Sequence, residues 1–169
     1  RMLARAAEKG RTTAEAAEAA AARIPAAAGL AELAPCDLVI EAIVEAEEPK
    51  RALFAELAGL LAPGAILATN TSSLSVSRLA AAVPGPERVA GLHFFNPVPV
   101  MRLVEVIAGV RTDPALADRL AAFVEGLGHT PVRAADSPGF VVNHIGRGLY
   151  TEGLRVVQEG VAPPPAVDD

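Results

Sequence analysis

Short apolar runs recur along the middle of the chain, separated by stretches with helical character. The runs are typical of buried strands and lie at 36–43, 65–69, 88–94, 103–107 and 130–134. The intervening patterns predict helices at 49–61, 77–82 and 114–127, each followed by a glycine or by a proline–glycine pair. Strands that alternate with helices indicate an α/β sheet, and we expect at least the first three strands to be parallel.

The two ends of the chain have a different pattern. Residues 2–23 are rich in Ala, Glu and Arg, and Gly10 breaks the run, which predicts two helices or one interrupted helix. Near the other end, a turn at 137–139 precedes a predicted long apolar helix at 140–159. The tail, residues 161–169, contains three consecutive prolines and is expected to be exposed.

The composition narrows the class of protein. The chain has 169 residues, of which 51% are hydrophobic, which is enough for one sizeable core. The formal net charge of -5, without a basic stretch, argues against nucleic acid as a partner. Cys36 is the only cysteine, so no internal disulfide can form, and no apolar run approaches the roughly 20 residues that span a bilayer. We expect a cytoplasmic protein without a signal peptide or membrane segment.

A histidine and a glutamate stand out within the predicted strands. His93 lies at the carboxyl end of run 88–94, where open α/β sheets place their ligands, and imidazole exchanges protons near neutral pH. A lone histidine is more commonly a hydrogen-bonded core residue. Glu105 shares a strand face with Leu103 and Ile107, which is costly unless the carboxylate is paired. It either pairs with a neighbour such as an imidazole or faces water from an edge strand.

Further polar residues occupy positions where a ligand or a helix cap is expected. Asn70, Thr71, Ser72 and Ser73 directly follow the predicted strand 65–69. They either face a ligand or cap the next helix, with Ser73 or Ser75 as the capping residue. Asn143 interrupts an apolar helix start, and a local backbone hydrogen bond would also explain it.

One expected signal of nucleotide binding is missing from these residues. A dinucleotide-binding fold normally contains a strand, a G-x-G-x-x-G turn and a helix that receives the pyrophosphate. No stretch of the chain matches that pattern. The physical reasoning alone therefore does not predict nucleotide binding.

Five segments together resemble the 3-hydroxyacyl-CoA dehydrogenases in order and spacing. They are Asp37–Glu45, Ala68–Leu74, Gly91–Pro97, Met101–Ile107 and Ser137–Asn143. The resemblance runs from about residue 30 to 160 and implies NAD-dependent oxidation of (S)-3-hydroxyacyl-CoA to 3-oxoacyl-CoA, or the reverse.

The resemblance assigns catalytic roles to four residues. His93 matches the general base that takes the proton of the substrate 3-hydroxyl, and Glu105 matches the acid that orients this base. Ser72 matches a serine close to both substrate and cofactor, and Asn143 matches a polar residue of the reaction site.

The resemblance also assigns cofactor contacts. Glu45 and Lys50 match positions that contact the ribose and nicotinamide end of NAD, while Ser72 and Asn96 line the same site. Lys9 aligns loosely with a lysine near the phosphate of coenzyme A.

The implied fold is an incomplete Rossmann-like α/β domain, residues 1–136, that lacks its first βαβ unit. Residues 137–169 would begin an all-helical C-terminal domain, which in relatives contributes dimer contacts, so a homodimer is expected for the full-length protein. His144 stands where many relatives have arginine. Two alternatives remain open: a non-catalytic relative that kept the fold, and one region of a multifunctional β-oxidation protein.

Overall fold

The computed structural model describes residues 2–168 and divides into two compact units, residues 1–33 and 34–169. The helices are α1 Met2–Glu8, α2 Ala14–Ala22, α3 Glu47–Leu60, α4 Val76–Ala80, α5 Pro114–Gly126, α6 Val142–Gln158 and α7 Pro164–Asp168. The strands are β1 Leu38–Glu41, β2 Ile66–Thr69, β3 Val89–Phe94, β4 Leu103–Ala108 and β5 Thr130–Ala135. Short 3-10 turns lie at Leu30–Leu33 and Pro86–Arg88. The expected boundary between residues 136 and 137 stays a prediction.

The first unit contains two helices, as one of the two interpretations of its sequence predicted. The backbone turns at Gly10, whose φ of 66° is in the left-handed region that glycine adopts without strain. The Thr13 side chain then accepts a hydrogen bond from the Ala16 N–H at 3.1 Å and so caps α2. Lys9 is exposed between the two helices.

The second unit is built on a five-stranded sheet in the order β1-β2-β3-β4-β5. The first three strands are parallel, which confirms the prediction from the sequence. Strand β4 runs antiparallel to β3 and parallel to β5. The antiparallel register places His93 directly opposite Glu105, so the sheet itself makes these residues neighbours.

One buried hydrophobic cluster lies between the sheet and helix α5, while apolar residues of α3 and α4 are also buried. Asp113 caps α5 by accepting from the Ala115 N–H at 2.9 Å, and Pro114 occupies the first helical position. The helix then buries residues spaced three or four apart against β3 and β4. The cluster comprises Ile66, Ala68, Ala90, Leu92, Val104, Val106, Leu116, Ala117, Leu120 and Val124.

The C-terminal elements differ in part from the sequence-based expectation. Helix α6 forms where a long apolar helix was predicted, but none of its residues is buried. Its large apolar side chains, including Leu149 and Leu154, are about 70% exposed. The tail is mostly exposed as expected, yet Pro164–Asp168 is helical, because proline is compatible with the first turn of a helix. Within residues 2–168, no helix combines the length and apolar character needed to cross a membrane.

Candidate active site

His93 and Glu105 form a buried pair across strands β3 and β4. The His93 Nδ1 atom lies 2.7 Å from Glu105 Oε2, which confirms the predicted contact. Glu105 has no solvent exposure, so the alternative in which it faces water from an edge strand is wrong. A buried carboxylate is costly unless it is paired. The imidazole supplies one of its partners.

The other oxygen of Glu105 is held by the start of helix α6. Glu105 Oε1 accepts hydrogen bonds from the backbone N–H groups of Val141 and Val142, each at 2.9 Å. These are amides that no group within the helix can satisfy, and the partial positive charge of the helix N-terminus favours a carboxylate there. Both oxygens of Glu105 are therefore bound by the protein.

Sequence reasoning missed this contact, although a signal for it exists. Residue Val141 precedes α6 and has no side chain that can cap a helix. A helix start without a local capping residue needs an acceptor from elsewhere in the fold, and Glu105 is that acceptor.

The second nitrogen of the His93 ring is left available. The side chain is only 7% exposed, and its ring packs against Phe95 at 4.4 Å and Phe140 at 5.9 Å between centroids. Within residues 2–168, Nε2 makes no hydrogen bond. A neutral ring that donates through Nδ1 keeps a lone pair on Nε2, so that atom can accept a proton.

Ser72 and Asn143 lie together although 71 positions separate them in the sequence. The Asn143 side chain donates from Nδ2 to the Ser72 carbonyl oxygen at 3.4 Å. They line a cleft of about 320 Å³ together with Ser73, Gly146, Arg147 and Tyr150. The resemblance assigned His93, Ser72 and Asn143 to one reaction site, but His93 is not among the residues that line this cleft.

Of the polar residues after β2, most have side chains that are hydrogen-bonded within the fold, whereas the Ser72 side chain is not hydrogen-bonded within the described residues. Asn70 Oδ1 accepts from the Phe94 N–H at 2.8 Å and so ties the ends of β2 and β3 together. Thr71 Oγ1 accepts from the Leu74 N–H at 3.0 Å. The helix cap of α4 is Ser75 rather than Ser73, since Ser75 Oγ accepts from Arg78 N at 3.3 Å. The Ser72 hydroxyl makes no hydrogen bond within the described residues.

A buried lysine links two carboxylates at the carboxyl end of β1. Lys50 is 1% exposed, and its Nζ lies 2.6 Å from Glu41 Oε1 and 3.3 Å from Glu45 Oε2. Nζ also donates to the Ile43 carbonyl oxygen at 3.4 Å, so it has two hydrogen bonds and an ion-pair contact with Glu45 within the described residues. Lys50 and Glu45, which the resemblance grouped, are thus in contact, whereas Glu41 was not singled out from the sequence.

Glu45 connects this network to the turn that carries Ser72. Its Oε1 accepts from Thr71 Oγ1 at 2.6 Å and from the Ser72 N–H at 2.8 Å. Burial opposes ionisation of Glu45, but the hydrogen bonds from Thr71, Ser72 and Lys50 outweigh it and lower the pKa of this carboxyl. The side chain remains 40% exposed, and Oε2 has only the 3.3 Å contact with Lys50. That oxygen can accept a further hydrogen bond, such as one from a ribose hydroxyl.

Asp136 fixes another part of the site, and the sequence pattern did not reveal it. Its carboxylate accepts from Ser75 Oγ and from the N–H groups of Val76 and Ser77, at 2.8–2.9 Å, which joins the end of β5 to the start of α4. Burial opposes its ionisation, but the hydrogen bonds of Ser77, Ser75 and Val76 together lower its pKa.

The remaining candidate residues are less constrained. Asn96 is exposed in the loop after β3, and its side chain makes no hydrogen bond within residues 2–168. No group of three or more His, Cys, Asp and Glu side chains suited to a metal ion occurs among the described residues.

Comparisons with known proteins identify the family of this chain. A family profile described as "3-hydroxyacyl-CoA dehydrogenase, NAD binding domain" matches residues 1–137. The chain belongs to the 3-hydroxyacyl-CoA dehydrogenase family. The matched domain identifies NAD as the cofactor, and the mostly parallel sheet is that of a Rossmann-like NAD-binding domain.

Three relatives illustrate the similarity. The chain is 46% identical over 160 residues to 3-hydroxyadipyl-CoA dehydrogenase of Escherichia coli, covering 95% of this chain and 34% of that protein. It is 48% identical over 166 residues to 3-hydroxybutyryl-CoA dehydrogenase of Bradyrhizobium diazoefficiens, covering 98% and 57%. The crystal structure of (S)-3-hydroxybutyryl-CoA dehydrogenase from Ralstonia eutropha superposes with a TM-score of 0.93 at 38% identity, covering 98% and 58%. The chain thus spans between a third and three fifths of the length of these 3-hydroxyacyl-CoA dehydrogenases.

Proposed function

We propose that this chain carries the general base, and the acid that orients it, for NAD-dependent oxidation of (S)-3-hydroxyacyl-CoA to 3-oxoacyl-CoA, or the reverse. The observation that supports the proposal best is the state of the His93–Glu105 pair. Glu105 is fully buried with both oxygens bound, while the Nε2 of His93 has no partner within the described residues. Because Nδ1 is held by the buried carboxylate, Nε2 is the ring atom that can exchange a proton with a ligand.

The chemistry follows from the two nitrogens of His93. In the oxidation direction, Nε2 accepts the proton of the substrate 3-hydroxyl as the C3–O bond becomes a carbonyl. The imidazolium that forms is stabilised by Glu105, 2.7 Å from Nδ1, and the helix amides keep this carboxylate in place. Bound NAD would supply the acceptor for the hydride that leaves C3. In the reduction direction, Nε2 returns the proton to the carbonyl oxygen.

Ser72 and Asn143 supply polar groups beside the reacting atoms in this proposal. Within residues 2–168, the Ser72 hydroxyl and Asn143 Oδ1 make no hydrogen bond, while Asn143 Nδ2 donates to the Ser72 backbone. Asn96 lies in the exposed loop that directly follows the strand of His93 and is assigned to the same site. These groups would orient the substrate oxygen and the nicotinamide.

Glu45 and Lys50 are proposed to act at the ribose and nicotinamide end of the cofactor. The partly exposed Glu45 Oε2 suits a ribose hydroxyl, whereas Lys50 is only 1% exposed and acts through Glu45. Lys9 is exposed, which is compatible with a contact to a coenzyme A phosphate.

The relatives support the substrate class. The curated relatives are named for 3-hydroxyadipyl-CoA and 3-hydroxybutyryl-CoA, which share a 3-hydroxyl group on a coenzyme A thioester. We extend that class to this protein, together with a homodimeric, cytoplasmic enzyme and the start of a helical C-terminal domain at residue 137.

The test is an enzyme assay on the gene product that contains these residues. Acetoacetyl-CoA and NADH are the substrates, and loss of NADH absorbance is the signal. His93→Gln should lower kcat by roughly 10²–10⁴-fold. The matched control is His129→Gln, because His129 is also partly buried and packs against Phe94. Absence of activity in the wild type would favour a non-catalytic relative, whereas a His93→Gln variant with wild-type kcat would refute the role of His93 as the general base.

A further inference from the structure

Glu41 is a buried carboxylate that the proposed mechanism does not use. It is the last residue of β1, which lies at the edge of the described sheet, and it is only 3% exposed. Burying a charge at such a place is costly, so its partners must compensate for the lost hydration.

All of those partners belong to the protein. Glu41 Oε1 accepts from Lys50 Nζ and from the Ile43 N–H, each at 2.6 Å, and Oε2 accepts from Thr69 Oγ1 at 2.8 Å. Both oxygens point into the fold, and neither is exposed to a ligand. The role of Glu41 is therefore exerted through another residue.

The charges show which residue that is. Glu41 and Lys50 are both almost completely buried and cancel each other, whereas the third charge, on Glu45, remains 40% exposed. With Glu41 in place, the Lys50 Nζ atom hydrogen-bonds to Glu41 at 2.6 Å and makes a longer ion-pair contact of 3.3 Å with Glu45 Oε2. Glu45 then keeps one oxygen for Thr71 and the Ser72 N–H. Without Glu41, the buried ammonium would be compensated by Glu45 alone.

We propose that Glu41 is a positioning residue of the site. Glu41 holds the Lys50 ammonium, and Glu45 therefore keeps its carboxylate at the carboxyl ends of the strands. There, Glu45 fixes the turn that carries Ser72. The expected effect of Glu41 on cofactor binding rests on the proposed dehydrogenase function. The structural part of the inference, the link from Glu41 through Lys50 and Glu45 to Ser72, can be measured separately.

The first test compares Glu41→Gln with Val124→Ala in the gene product. Val124 is fully buried on α5 and far in the chain from the network, so its variant controls for a general loss of stability. Glu41→Gln should raise the hydrogen-exchange rate of the Ser72 amide by roughly fivefold to tenfold, as expected for the loss of one net hydrogen bond. It should weaken NADH binding by a factor on the order of ten. Val124→Ala should change neither.

A second variant keeps the test decisive if Glu41→Gln folds poorly. Glu41→Gln combined with Lys50→Met removes both buried charges, and such replacements are often neutral for stability. Because Glu45 still lacks its support, Ser72 exchange should stay fast and NADH binding weak in this folded protein. Recovery of both to wild-type values would show that the pair only stabilises the fold, and would overturn the inference. Inactive wild-type protein would refute the proposed function, whereas an unchanged Ser72 amide would refute the positioning role.

Discussion

Replacing Glu105 by glutamine should switch the tautomer of His93. The two helix amides at 2.9 Å require an acceptor, so the glutamine carbonyl oxygen must occupy the position of Oε1. The glutamine NH₂ group then faces the position of Oε2, 2.7 Å from His93 Nδ1, and donates to that nitrogen. His93 must place its own proton on Nε2, where it can no longer accept the substrate proton.

The size of the effect follows from the same geometry. An aspartate-to-asparagine change that traps the wrong histidine tautomer in serine proteases lowers kcat about 10⁴-fold, and we expect a loss of roughly 10³–10⁴-fold here. Stability should fall by about 1–3 kcal/mol, because three hydrogen bonds to a charged group become hydrogen bonds to a neutral amide. The catalytic loss is therefore much larger than the stability loss can explain.

Two measurements on the gene product check this prediction. Steady-state oxidation of 3-hydroxybutyryl-CoA by NAD gives kcat in the direction in which His93 accepts the proton, and nitrogen NMR of labelled histidine identifies which ring nitrogen of His93 carries the proton. Val106→Ala is the control, since it removes buried volume next to Glu105 without changing the partners of His93. A Glu105→Gln variant with kcat within about tenfold of wild type, or with the proton still on Nδ1, would refute the reasoning.

Three other outcomes are expected. The pKa values of Glu45 and Asp136 are lowered from their ordinary values of 4.5 and 3.8, so both carboxylates stabilise the fold at a pH above those values and lose that effect as the pH falls through the lowered pKa. In urea denaturation at a series of pH values, Asp136→Asn should reduce the fall in the free energy of unfolding at acid pH. An unchanged fall would contradict this. Gly139→Ala should lower the free energy of unfolding by about 1 kcal/mol or more, because φ is 80° and a Cβ would collide with the Arg147 guanidinium. Gly59→Ala is the control, because a Cβ there meets open space, and it should not lower the stability. Equal stabilities of the two variants would contradict the prediction. Residues 1–169 expressed alone should not reduce acetoacetyl-CoA at a useful rate, because they hold no G-x-G-x-x-G turn for the pyrophosphate. If they do turn over the substrate and His93→Gln abolishes that activity, another segment of these residues binds the dinucleotide.

Much of the fold could be predicted because its signals are local. The five apolar runs correspond to the five strands, and the parallel order of the first three follows from the helices that connect them. The residues alone left two possibilities for Glu105, and the resemblance selected the contact with His93 that the structure confirms. Their catalytic roles came from the resemblance and stay predictions.

The remaining features depend on contacts between distant segments. Nothing in the sequence around Glu105 indicates that the start of α6 donates two amides to it, 36 and 37 positions later. The support of Lys50 by Glu41 depends on α3 folding back over the end of β1. The exposure of the apolar side chains of α6 was missed because an apolar helix is normally read as a buried one.

The central claim is that the free nitrogen of His93 meets the 3-oxygen of the substrate. A crystal structure of the gene product with acetoacetyl-CoA and NAD bound measures this most directly. The proposal predicts that the 3-oxygen lies within about 2.6–3.2 Å of His93 Nε2, with Nδ1 still bonded to Glu105. A complex in which the 3-oxygen faces other residues, with Nε2 bound to protein or solvent alone, would contradict it.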